Sequence, residues 1–206
     1  MRHYEKKIYL ASKSPRRRDL LRQIGVDFEL LLVSPSHVAN PDTINENFLP
    51  DETPRDYVRR IAREKVNFAW DLMDRRKLLY RPILAADTIV VLNGQVLGKP
   101  TNAHEAMEMM QTLSGKTHKV LTSVVIKLRD NIYETLQESE VSFANLSEET
   151  IKAYCNTLEP YDKAGGYGIQ GLAATFITHI SGSYSGIMGL PLYETTQLMN
   201  EAKINY

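Results

Sequence analysis

A mixed α/β (α+β) fold is what this sequence predicts, on three observations. Strand-like and helix-like segments alternate along most of the chain, but without the regular strand–helix–strand repeat of a purely parallel sheet. Asn93-Gly94 separates two apolar runs, the strongest short signal for an antiparallel hairpin. Hydroxyl or amide residues suited to helix capping, Ser14, Thr53, Asn102 and Ser147, stand just before helix-like segments. Together these imply a mixed central sheet flanked by helices. Residues 1–206 are expected to form a single domain with two lobes around a cleft.

Ile8 to Ala11 reads as a short strand. Ser14 to Ile24 reads as a helix, entered through Pro15 at its first position and stopped by Gly25. Phe28 to Val33 is a second strand, and residues 34–53, broken by Pro35, Pro41 and Pro50, are a surface loop. Thr53, Pro54 and Asp56 open a helix that continues to about Met73. Residues 82–92 form a strand, and Gln95 to Leu97 return after the Asn-Gly turn. Asn102, with Glu105 three residues on, opens a helix ending at Gly115. Residues 118–128 and 133–143 alternate as strands about an Arg-Asp-Asn turn, and Ser147 caps a helix over 148–156. A Gly-rich loop leads to a strand over 174–180 and a last helix from Pro191 to about Glu201.

Composition narrows the setting. Lys+Arg and Asp+Glu number 25 each, so no global field favours nucleic acid or a membrane surface, and neither is expected as a partner. Cys155 is the one cysteine, which excludes an intrachain disulfide and fits a reducing compartment. The charge-interrupted start lacks the apolar core of a signal peptide, and no run approaches the ~20 apolar residues that span a bilayer. A cytoplasmic location is the expectation.

Chemistry shows where charge breaks these patterns. Arg16, Arg17 and Arg18 occupy the first turn of the first helix, where the macrodipole disfavours cations. Arg17 shares the inward stripe of Leu20, Leu21 and Ile24, Arg16 borders it, and Arg18 falls on the polar side. An anion would turn this cost into a charge-assisted site of guanidinium forks and backbone donors, with Ser12 and Ser14 flanking the turn. Lys65 repeats the oddity on the apolar stripe of Val58, Ile61, Ala62, Ala69 and Leu72. Asp87 is the sharpest case, a carboxylate inside the apolar strand "ILAADTIVVL" on one face with Ala85 and Ile89. It is either half of a buried ion pair or a group for metal binding or general-base work, and the second reading is favoured. Lys99 follows the return strand of the same hairpin.

Some patterns mislead. "GYGIQG" matches a dinucleotide fingerprint in letters, but it neither follows a strand nor opens a helix. "LSGKT" has Met110 where a Walker A loop needs glycine, and "GQVLGKP" has the wrong spacing. The histidines and Cys155 show no zinc spacing, and no nucleophile elbow is present.

"LASKSPRRRDLLRQIGVDFE", "RIAREK", "AADTIVVLNGQVLGKP", "LSGKTHKVLT" and "EPYDKAGGYGIQGLAATFITHISGSYSGIMGLPL" resemble, in order, the blocks of the Maf family of nucleotide pyrophosphatases, over roughly residues 8–200. The resemblance implies a two-lobed α/β fold related to inosine triphosphate pyrophosphatases. It also implies hydrolysis of nucleoside triphosphates to the monophosphate and pyrophosphate with a divalent metal, Mg²⁺ or Mn²⁺, in a house-cleaning role. By motif position it makes Asp87 the proton acceptor and a metal ligand, and Ser12, Arg17, Lys65 and Lys99 the phosphate-binding residues. Specificity positions fall on Arg16, Thr88 and Gln170, with Asp162 and Lys163 shaping a base pocket. "SPRR", "ADT" and "YGIQG" are similar to the dTTP/UTP branch of the family. The 7-methyl-GTP branch and a non-catalytic regulator of septum formation are the alternatives. Homodimerisation is a family expectation. The acidic run usual after the "FE" strand is replaced here by "VSPSHVANPD"; either Glu46, Glu52 or Asp42 supplies its carboxylate, or the metal relies on Asp87 and the substrate phosphates.

Overall fold

The computed structural model describes residues 7–32 and 46–205. Asp42 lies outside them, as do most of the loop expected over 34–53 and the end of the expected strand Phe28 to Val33. In chain order the elements are β1 (Lys7–Leu10), α1 (Pro15–Gln23), β2 (Asp27–Leu30), α2 (Pro54–Arg75), β3 (Ile83–Leu92) and β4 (Gln95–Leu97). They continue with α3 (Ala103–Leu113), β5 (Thr117–Leu128), β6 (Asn131–Phe143), α4 (Glu148–Cys155), β7 (Ile177–Ser181), α5 (Tyr184–Ile187) and α6 (Leu192–Glu201).

The sheet is mixed, as the sequence predicts. Its strand order is β2-β1-β3-β5-β6-β7, with β4 pairing β3. β1 runs parallel to both β2 and β3, whereas β3–β4 and β6–β7 are antiparallel. All the expected caps form: Ser14, Thr53, Asn102 and Ser147 each accept an N–H three residues on. Asn93 and Gly94 both take positive φ, 50° and 82°, as the two-residue hairpin requires.

Among several boundaries that differ, three in the sheet shift by two residues or more. β2 ends at Leu30, although Leu31 N–H still bonds the carbonyl of Leu10 at 3.1 Å. Asn131 belongs to β6, leaving Arg129 and Asp130 as the turn. The expected strand over 174–180 begins only at Ile177, because Leu172–Phe176 is a 3-10 turn. Glu159 takes the N–H groups of Leu172 and Ala173, so neither is available to a strand ladder.

The chain divides into two compact units, split within β3 after Asp87, within β5 after Thr122 and within β6 after Leu136. Unit 1 comprises Met1–Asp87, Ser123–Leu136 and Gly189–Tyr206. Its core sets Ala62, Val66, Ala69 and Met73 of α2 against Tyr9, Leu31, Ile83, Ala85 and Val125. Each fully buried large side chain there contributes about 1.5–3 kcal/mol. Unit 2 comprises Thr88–Thr122 and Gln137–Met188. It packs α3 (Ala106, Met110, Leu113) and α4 (Ile151, Tyr154, Cys155) with Val90, Val141 and an edge-on aromatic cluster of Phe143, Tyr167 and Phe176. Cys155 is a core residue, and burial pushes its thiol pKa up, away from reactivity.

Candidate active site

In unit 1 the first turn of α1 is organised by two serines. Ser14 Oγ accepts from Arg17 N–H at 3.5 Å, and Ser14 N–H donates to Ser12 Oγ at 3.2 Å. The Arg17 side chain doubles back: Nη1 donates to the same Ser12 Oγ at 3.2 Å and Nε to the carbonyl of Gly189 at 2.7 Å. The guanidinium is therefore fixed from two directions. Desolvation lowers its pKa, the charge of Asp87 opposes that, and Arg16 adds to it. Arg16 is half-buried on the same turn. Arg18 departs from expectation: it is half-buried rather than solvated, and its Nε is buried without a hydrogen-bond partner.

Asp87 lies between the β1 pairing of β3 at Ile83–Leu84 and the β4 pairing at Val90–Leu92. Its carboxylate accepts from Lys65 Nζ at 2.7 Å. So the two pattern-breaking residues, one from a helix and one from a strand, meet each other. The same ammonium lies 3.2 Å from Glu46 Oε1. Glu46 is brought there by a strap across the start of α2. Tyr57 OH donates to the Glu46 carbonyl at 2.9 Å, and the Phe48 ring stacks on Tyr57 at 4.1 Å. Arg60 grips Glu52 through two N–H bonds at 2.6 and 2.9 Å and also donates to the Asn47 carbonyl at 2.9 Å. Glu52 is thus occupied by Arg60, which holds its carboxyl below the usual range. Of the two candidate carboxylates among the described residues, Glu46 and Glu52, Glu46 is the one that shares a cation with Asp87.

That donor set bears on a metal. Among the described residues no group of three His, Cys, Asp or Glu forms a cluster. Two carboxylates converging on one positive group nevertheless fit a hard divalent ion that takes a carboxylate or two plus substrate phosphate oxygens.

Unit 2 holds the remaining sequence-predicted positions, on separate segments. Thr122 Oγ1 donates to the Gly186 carbonyl at 2.8 Å, which commits its only proton. In the 3.0 Å contact between the two hydroxyls, Thr88 is then the donor to Thr122. Lys99 is exposed at the end of the hairpin, next to Gly98, whose carbonyl accepts from Gly165 N–H at 2.9 Å. Gln170 is exposed on a turn closed by Gly171 N–H to the Gly168 carbonyl at 3.0 Å. Lys163 bonds the Glu159 carbonyl at 2.7 Å and pairs with Asp162, so its ammonium is engaged locally.

Sequence reasoning did not reach Thr122, Glu159, Gly189 or His118. His118 is buried, its Nε2 lies 2.7 Å from Tyr167 OH, and burial alone depresses its pKa to about 4. A lone histidine inside the strand "THKVLTSVV" was the available signal.

Comparison with known proteins follows the same lines. The family model described as Maf-like protein matches residues 7–202. A protein of Nitrosospira multiformis named dTTP/UTP pyrophosphatase is 48% identical over 204 residues, 99% of this chain and 98% of its own length. One of Ralstonia nicotianae with the same name is 50% identical over 96% of this chain and 94% of its own. A Haemophilus ducreyi protein named nucleoside triphosphate pyrophosphatase is 45% identical, covering 97% and 96%.

Proposed function

The chain belongs to the Maf-like protein family, and from that premise we propose that it hydrolyses dTTP and UTP to the nucleoside monophosphate and pyrophosphate. The observation that carries the reading is the Lys65–Asp87 pair at 2.7 Å, with its second carboxylate, Glu46, and the Arg17 charge beside it. The names of relatives at 45–50% identity support the substrate.

Arg17, Lys65 and Lys99 neutralise the triphosphate and the departing pyrophosphate, with Ser12 and the first turn of α1 completing the anion site. The bonds from Arg17 to Ser12 and Gly189 orient its fork before substrate arrives, so little reorganisation is needed at the transition state. Lys65 is shared between two carboxylates, and phosphate oxygens compete for it. That releases the Asp87 carboxylate to orient a water and take its proton during in-line attack on the α-phosphorus. Asp87 and Glu46 would hold the divalent metal, Mg²⁺ or Mn²⁺, which when bound supplies charge stabilisation to the phosphoryl oxygens. Arg16, Thr88 and Gln170 select the base, and Asp162 and Lys163 shape the segment that carries Gln170. An amide such as Gln170 pairs with both a donor and an acceptor on a pyrimidine edge.

A substrate panel of UTP, dTTP, CTP, GTP and 7-methyl-GTP, run over a series of divalent metals with pyrophosphate release as readout, tests the reading. UTP and dTTP should lead. Preference for 7-methyl-GTP overturns the substrate assignment, and tight binding without release under every metal overturns catalysis. Among the described residues no helix is long and apolar enough to cross a membrane.

A further inference from the structure

Gln170 stands on an exposed turn with one internal backbone bond, so its accuracy as a reader depends on what anchors the turn from outside. Glu159 does so on both flanks. On the C-terminal side its Oε2 accepts from Leu172 N–H at 2.7 Å and its Oε1 from Ala173 N–H at 3.2 Å. On the N-terminal side its backbone carbonyl accepts from Lys163 Nζ at 2.7 Å. The Lys163 stem then lies so close to Gly168 that a Cβ added there would stand 2.8 Å from Lys163 Cε. A Cβ on Gly171, directly after Gln170, would stand 2.3–2.4 Å from the Glu159 carboxyl group. A side chain at either glycine would have to displace the Lys163 stem or the Glu159 carboxyl group.

Glu159 is itself held. Its N–H donates to Thr157 Oγ1 at 3.2 Å, and Tyr154 OH shares its proton between the Glu159 Oε1 and the Gly166 carbonyl, each at 3.1 Å. Each carboxylate oxygen receives a backbone N–H at the start of the Leu172–Phe176 turn, where an anion is favoured. A carboxylate accepts at both oxygens. A glutamine would offer one acceptor and turn an NH₂ toward the other N–H.

We propose that Glu159 is a positioning residue for base selection, holding Gln170 in register for the base edge of the nucleotide. This rests on the reading of Gln170 as a base reader. Glu159 touches no reacting atom, so its loss acts on binding and discrimination rather than on the chemical step.

The test measures kcat and KM for dTTP, UTP, CTP and GTP in the wild type, Glu159→Gln, Gln170→Ala and the double variant. Glu159→Gln is expected to raise KM for dTTP and UTP about tenfold, leave kcat within about threefold, and shrink the UTP-over-CTP ratio of kcat/KM. Adding it to Gln170→Ala should change little further, since both act through one reader. An equal loss of kcat/KM for all four nucleotides, or no change, overturns the proposal. If Glu159→Gln does not fold, Gly171→Ala attacks the same grip from the other side, and unchanged KM and selectivity there overturns it equally. A wild type that prefers a purine triphosphate defeats the substrate reading alone, because the same variants are then compared on that nucleotide. A wild type inactive on every nucleotide defeats both.

Discussion

Around Asp87, polar groups are held by charge: a lysine shared by two carboxylates, and an arginine pinned by a hydroxyl and a carbonyl. Around Gln170 they are held by backbone: two glycines against which the Lys163 stem and the Glu159 carboxyl group pack closely, and a carboxylate on two amide N–H groups. The difference matches the two tasks proposed for them. Charge stabilisation of a triphosphate is long-ranged and tolerates small displacements, whereas reading a base edge needs hydrogen-bond groups set to a few tenths of an ångström. On the proposed reading, one region supplies field and the other supplies geometry.

The sharpest way to test that contrast is Asp87→Asn. It keeps shape and removes the proposed proton acceptor, and Lys65 retains Glu46 at 3.2 Å, so its ammonium keeps a partner. Pyrophosphate release from UTP should fall about a thousandfold in kcat, with KM moving by no more than about threefold. Thermal unfolding should shift little. Unaltered turnover would remove Asp87 from the chemistry and dissolve the distinction between the regions.

The second prediction touches only the other region. His118 is held neutral there, its pKa depressed by burial from an ordinary 6.5 to about 4. The unfolded chain therefore binds a proton that the folded chain refuses, and stability declines as pH falls from 6.5 toward 4. The arithmetic amounts to about 2 kcal/mol between pH 7.5 and pH 5, above the range in which most carboxylates titrate. His118→Gln removes the titrating group and should flatten that part of the profile when urea unfolding is compared at the two pH values. An equal loss in both proteins would show that neutral burial of His118 is not what ties the second region to pH.

The same contrast explains what was legible beforehand. Asp87, Lys65 and Arg17 stand out because each violates the pattern of its own element: a carboxylate in an apolar strand, a cation on an apolar stripe, a cation at a helix start. Such violations are visible in one sequence, and so were the caps, the Asn-Gly hairpin and most element boundaries. Asp87 does form the ion pair that its sequence context makes the less favoured reading, and that Lys65 is the partner is not legible, because side-chain reach across elements depends on packing. Glu46 is one of three candidates in the sequence, and its approach to Lys65 depends on the strap built by Tyr57, Phe48 and Arg60, which no sequence pattern reveals. The grip of Glu159 left no pattern to find. A glutamate before a proline looks like any exposed acid, and the aromatic and β-branched residues of "ATFITHI" read as strand until the N–H groups of Leu172 and Ala173 are seen to be taken.

The smallest expected effect marks where the charged region ends. Arg18 is adjacent in sequence to Arg17 and belongs to the same triplet, yet the two differ in every contact that matters. The Arg17 fork is fixed by Ser12 Oγ at 3.2 Å and the Gly189 carbonyl at 2.7 Å, and it lies within the field of Asp87. The Arg18 Nε is buried with no hydrogen-bond partner, in the first helical turn where the macrodipole opposes a cation. Removing that guanidinium relieves an unsatisfied donor and an unfavourable charge while costing some packing of the stem. Arg18→Ala should therefore leave kcat/KM for UTP within about twofold and Tm unchanged within about 2 °C. If instead it lowers kcat/KM more than about tenfold with kcat and KM both affected, the phosphate clamp extends across the whole triplet. The charged region would then depend on summed local potential rather than on one oriented fork.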